Sequence, residues 1–102
     1  MTDGHKPEHI SAGCVVRSLA GRDGSRLFVV SAPAGDGYVY ITDGRTRKVE
    51  HPKKKKLRHL EYAACAAEEI LQRIDQGRLT NSVVRKFLAE LTKDEEDKEA
   101  EE

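Results

Sequence analysis

From Gly13 to Glu50 the apolar positions come in short runs broken by turn-forming residues, the pattern of strands rather than helices. Cys14-Val15-Val16-Arg17-Ser18 is a β-branched run, and Leu27-Phe28-Val29-Val30-Ser31 predicts a second strand. In a third, Tyr38-Val39-Tyr40-Ile41-Thr42, side chains alternate between two faces, so the tyrosines share one face while Val39 and Ile41, the better core candidates, share the other. Ala20–Ser25 and Pro33–Gly37 supply the glycine, aspartate and proline of turns. Asp43-Gly44 has the composition of a two-residue hairpin, which predicts that Arg45 to Val49 returns as a fourth strand. Pro52, having no N–H for a ladder, ends it, and a last short strand is expected around Leu57 to Leu60. Short strands joined by tight turns predict a small barrel or sandwich, a unit that buries little surface and needs a cover.

At Leu60 the period changes. Leu60, Ala63, Ala64, Ala67, Ile70, Leu71 and Ile74 recur every three or four residues, as on one face of a helix that Gly77 would end. Thr80 or Asn81 can cap a second helix, with Val84, Phe87, Leu88 and Leu91 as its apolar stripe. The short link between them implies a helical hairpin, or two helices folding back on the barrel. Lys93 to Glu102 carries seven acids and two bases, which predicts a solvated tail or a fraying helix end. The expected organisation is a flexible leader over 1–10, a barrel over 11–60, two helices over 61–92 and an acidic disordered tail over 93–102.

Composition sharpens this picture. With 35% charged and 37% hydrophobic residues among 102, five aromatics and no Trp, the core is small and a deep ligand cavity is not expected. The net charge of zero hides an asymmetry: residues 1–60 hold 12 Lys and Arg against 6 Asp and Glu, and residues 61–102 the reverse. The first half can attract a polyanion. No apolar stretch reaches the ~20 residues of a membrane span, and the polar start has no signal-peptide core. Cys14 and Cys65 read as reduced, buried thiols of a cytoplasmic protein. His5 and His9 are four apart, but Pro7 between them argues against a helical metal pair, so no metal and no cofactor are expected.

Three features can carry chemistry. Arg45, Arg47, Lys48, Lys53, Lys54, Lys55, Lys56 and Arg58 form a basic segment relieved only by Glu50. Such a block neutralises phosphates and releases counterions, although a solubilising loop or an anionic-lipid patch has the same composition. The turn Gly21-Arg22-Asp23-Gly24 can present amides and Arg22 to a phosphate, or can be an ordinary tight turn; Arg17 and Arg26 flank it. Tyr38 and Tyr40 can stack bases on a solvated face, or be core on an inward one. Nothing supports catalysis: there is no phosphate-binding loop motif and no presented nucleophile.

Gly13-Cys14-Val15-Val16-Arg17-Ser18-Leu19-Ala20-Gly21-Arg22-Asp23, followed by Leu27-Phe28-Val29-Val30, resembles a KOW motif. The likeness continues through Val39–Gly44 and Arg47–Leu60, and Leu79-Thr80-Asn81 with Val84-Arg85-Lys86 is also similar to small bacterial KOW-domain proteins, relatives of certain archaeal and eukaryotic large-subunit ribosomal proteins. Gly21 matches the family's turn glycine, whereas the second turn glycine, Gly24, falls one residue early. The resemblance implies an SH3-like β-barrel, here followed by a helical hairpin, that binds RNA. The expected function is thus a non-catalytic, cytoplasmic RNA-binding protein associated with the ribosome or translation. Ribosomal or another structured RNA would be its partner, held by Arg17, Arg22, Arg26, Arg45, Arg47, Lys48, Lys53, Lys54, Lys55, Lys56 and Arg58. The alternative is a protein-interaction module using the helices or the acidic tail, in transcription or ribosome assembly.

Overall fold

A computed structural model describes residues 10–19, 26–64 and 67–100, with the backbone alone for 94–100. The turn with Arg22, the histidines His5 and His9, and Cys65 lie outside the described residues. Among the described residues five strands, β1 (Val15–Ser18), β2 (Leu27–Gly35), β3 (Tyr38–Thr42), β4 (Lys53–Lys56) and β5 (Leu60–Ala64), form one antiparallel sheet in the order β4-β3-β2-β1-β5. Two helices follow, α1 (Glu68–Asp75) and α2 (Asn81–Ala100), making a small α+β fold. No helix among the described residues is long and apolar enough to cross a membrane.

Strand alternation divides the apolar residues between two cores. Val16, Phe28, Val30, Val39, Ile41 and Leu60 pack with Ile10 and Cys14 on one face. Val15 and Val29 pack on the other against Ile70 of α1 and Val84 and Leu88 of α2. Burial on both faces explains why Phe28-Val29-Val30 is an unbroken apolar run instead of an alternating one. The stripe Val84, Phe87, Leu88 and Leu91 therefore faces the sheet.

Among the described residues the expected barrel is not closed by a hydrogen-bond ladder: β4 and β5 are the two edges of the sheet. They are nonetheless consecutive in the chain, joined by a single 3₁₀ turn at Leu57–His59. The amide of Leu57 bonds the carbonyl of Gly37 at 2.8 Å, and that of Leu19 bonds the carbonyl of His59 at 3.0 Å, so the turn is tied to the sheet at both ends.

Two local expectations are corrected. The type I′ hairpin turn is Asp36-Gly37, with φ of 56° and 82°, between β2 and β3. Strand β2 runs through Pro33 to reach it, which is tolerated because this part of β2 pairs with β3 alone among the described residues. Asp43-Gly44 instead opens a loop over residues 43–52, and the predicted strand Arg45–Val49 is absent. The partner of β3 is the lysine run itself, with Tyr38, Val39, Tyr40 and Ile41 opposite Lys56, Lys55, Lys54 and Lys53. Lysine has little intrinsic preference for strands, but pairing to β3 outweighs propensity, and lysine on an edge discourages pairing to other chains.

The second correction lies at Leu60. The strand expected over Leu57–Leu60 is displaced toward the C-terminus, and the first helix begins at Glu68. Leu60-Glu61-Tyr62-Ala63-Ala64 satisfies a period of two as well as a helical one, and pairing with β1 decides for the strand. Gly77 does end α1: at φ 69° it lets the amides of Gly77 and Arg78 reach the carbonyls of Ile74 and Arg73, at 3.1 and 2.7 Å. Thr80 caps α2, its hydroxyl accepting from the amide of Val83 at 3.3 Å and its carbonyl from that of Val84 at 3.1 Å. The segment after Lys93, expected as a solvated, disordered tail or a fraying helix end, is helical in its backbone to Ala100. Its Glu, Lys and Ala are good helix formers, and extending an existing helix needs no new nucleus.

Candidate nucleic-acid interface

The loop over residues 43–52 is organised by one carboxylate. Asp43, buried at 5% exposure, accepts the amides of Arg45 and Arg47 on Oδ1, both at 2.9 Å. Its Oδ2 accepts the Thr46 hydroxyl at 3.0 Å and the Arg26 guanidinium at 3.1 Å. Burial pushes the Asp43 carboxyl up, but these amides, the hydroxyl and the charge of Arg26 together outweigh it and hold the group below its ordinary range. The carbonyl of Arg47 closes the loop, accepting the amides of Asp43 and Gly44 at 3.0 and 3.1 Å and the hydroxyl of Thr42.

The start of α2 is pinned to this loop. Arg85 donates to the carbonyl of Gly44 at 2.8 Å, and Asn81 accepts the amide of Val49 at 2.8 Å. The Asn81 amide also donates to Glu50 at 3.0 Å, holding that carboxyl below its ordinary range. Gly44, at φ 76°, comes so close to α2 that a Cβ there would stand 2.6 Å from the carbonyl oxygen of Asn81.

Between sheet, loop and helix lies an open groove of about 700 Å³. Arg17 of β1, Arg26 before β2, Arg45 of the loop, and Arg85 and Lys93 of α2 line it, and Asp43 is the one acid of its lining among the described residues. Leu27, Leu88, Ala89 and Thr92 form the rest of its wall. Among the described residues, five cations from four parts of the chain thus line the groove with one carboxylate, which is already engaged by four hydrogen bonds. In such a concave site the positive potential adds, and a phosphate can be met from several sides.

The lysine run is arranged differently. As strand β4 it sends Lys54 and Lys56 to the face of Tyr38 and Tyr40, and Lys53 and Lys55 to the face of Val39 and Ile41. The Lys54 ammonium sits 5.0 Å from the centre of the Tyr38 ring. Lys48 and Arg58 are exposed on the loop and the 3₁₀ turn. Arg47 is only half-exposed, and its Nε is buried without a hydrogen-bond partner.

Of the sequence-derived site, then, Arg17, Arg26 and Arg45 meet in the groove, whereas Lys53 to Lys56 divide between two faces. Sequence reasoning missed Arg85 and Lys93. A signal existed: Arg85, Leu88, Ala89 and Thr92 fall at i, i+3, i+4 and i+7, a helical face beside the apolar stripe.

A scan against protein-family models gave no match, and a search of curated proteins gave none.

Proposed function

We propose that this chain is a non-catalytic RNA-binding protein that grips the phosphate backbone of a structured RNA in the groove between the sheet and α2. The observation that carries this reading is the convergence of Arg17, Arg26, Arg45, Arg85 and Lys93 on one groove whose acid among the described residues, Asp43, is already engaged. Contacts of this kind fix position on the nucleic acid and carry no sequence information. The choice of RNA over DNA, and of ribosomes in the cytoplasm as the setting, rests on the KOW resemblance. An SH3-like reading of the sheet is supported by the strand order, by the 3₁₀ turn linking the edge strands, and by β2, which pairs first with β1 and then with β3.

Co-sedimentation with purified ribosomes at low and high salt tests the reading. The wild type travels with ribosomes at low salt and is released at high salt, and Arg45→Glu with Lys93→Glu abolishes the association. Association that survives high salt and both substitutions would instead indicate a protein partner, reached through the helices.

A further inference from the structure

The groove leaves a second surface unexplained. On the helix-side face of the sheet, Tyr38 and Tyr40 stand opposite Lys56 and Lys54 on one side and opposite Gly35 and Ala32 on the other. Both tyrosines are half-exposed, and neither packs into either core. Large rings on a sheet interior to the edge strand would ordinarily be covered. Here the neighbours on β2 are the two smallest residue types, which leave the ring faces open on that side.

We propose that Tyr38 and Tyr40 form a stacking platform for unpaired bases of an RNA strand, with Lys54 and Lys56 meeting its phosphates. This rests on the RNA-binding reading and adds a ligand class to it: single-stranded or looped-out nucleotides beside the structured part held in the groove. Residues two apart on a strand are separated by about 7 Å, roughly twice the ~3.4 Å rise between stacked bases. The platform therefore matches bases splayed apart, one to each ring, and not a continuous stack. A duplex hides its base faces and offers the platform nothing. The position of Lys54 over the Tyr38 ring fits the same use. An exposed ammonium on a ring face gives way readily to a base, and once displaced it remains beside the strand to take a phosphate.

The test uses the full chain and two probes: a short uridine strand carrying a single 2-aminopurine, bright because uridines stack weakly, and an A-form RNA duplex. Stacking on the tyrosines quenches the 2-aminopurine when wild-type protein binds. Tyr38→Leu with Tyr40→Leu weakens single-strand binding about 30-fold or more, from the lower end of the stacking energy for two bases, and leaves duplex binding unchanged. Tyr38→Phe with Tyr40→Phe, which keeps the rings, retains both. Single-strand binding without quenching, or with the leucine variant as tight as wild type, overturns the platform while the groove reading stands. Duplex binding without single-strand binding likewise overturns the platform alone, and failure of both probes to bind overturns both readings. The quenching arm uses wild-type protein and so decides the matter even where the leucine variant folds poorly.

Discussion

The two basic regions of this protein are built in opposite ways. The lysine run is four like charges in a row in the sequence, yet strand geometry sends alternate members to opposite faces of the sheet. The groove draws five cations from positions as far apart as Arg17 and Lys93, yet they line one concavity. The groove also carries the structural investment: Asp43 organises its loop through four hydrogen bonds, and Arg85 and Asn81 lock that loop to α2. Contiguity along a chain is a measure of composition, whereas convergence is a property of the fold. Only convergence aims several charges at one phosphate.

This contrast is sharpest at Asp43. Asp43→Ala strands two amides and the Arg26 guanidinium, and is expected to lower unfolding free energy by about 3 kcal/mol, measured by urea denaturation. Lys54→Gln, removing an exposed edge-strand charge, should shift the same curve negligibly. Gly44→Ala comes next. Its Cβ would meet the carbonyl of Asn81 while φ stays left-handed, a cost of about 2 kcal/mol that thermal melting would read. A smaller expected effect separates the two lysine pairs. Lys54→Gln with Lys56→Gln should weaken RNA binding about tenfold, near 1.4 kcal/mol, and more than Lys53→Gln with Lys55→Gln, although both remove two charges. Equal losses in a filter-binding assay would mean that the strand acts as an undirected charge cloud.

Acid probes the Asp43 contact without mutation. The carboxyl is held below its ordinary value of 3.8 in the folded state, so below that value the unfolded chain binds the proton more readily. The stability it contributes is complete above pH 3.8 and is lost as pH falls through the folded value. Asp43→Asn should remove this component of the acid limb, so that the variant's stability falls less steeply than the wild type's as pH drops below about 3.8. The smallest change is expected at Leu71, 44% exposed on α1, where Leu71→Glu should move stability by less than about 0.5 kcal/mol.

The first three strands were legible because their apolar runs are bounded by turn residues and are buried on both faces. The inward placing of Val39 and Ile41 followed from strand alternation alone. The hairpin was misplaced because an Asp-Gly pair stands at each end of β3, at 36–37 and at 43–44. The difference is that Asp43 finds Arg45, Thr46 and Arg47 ready to satisfy its carboxylate in an open loop, which pair composition does not disclose. Lys53–Lys56 and Leu60–Ala64 were misread because their strand character comes from partners, β3 and β1, and not from their own propensity. The groove was half legible. Its arginines stood out by charge, but Arg85 and Lys93 enter it only because α2 docks across the sheet.

The most direct test of the central claim is the salt dependence of RNA affinity for wild type beside Arg45→Gln with Lys93→Gln, two groove cations distant in sequence. If both meet phosphates, the slope of log affinity against log salt becomes shallower by about 1.4 to 1.8, from 0.7–0.9 per contact. A slope unchanged from wild type would contradict the account and return the search to the lysine strand.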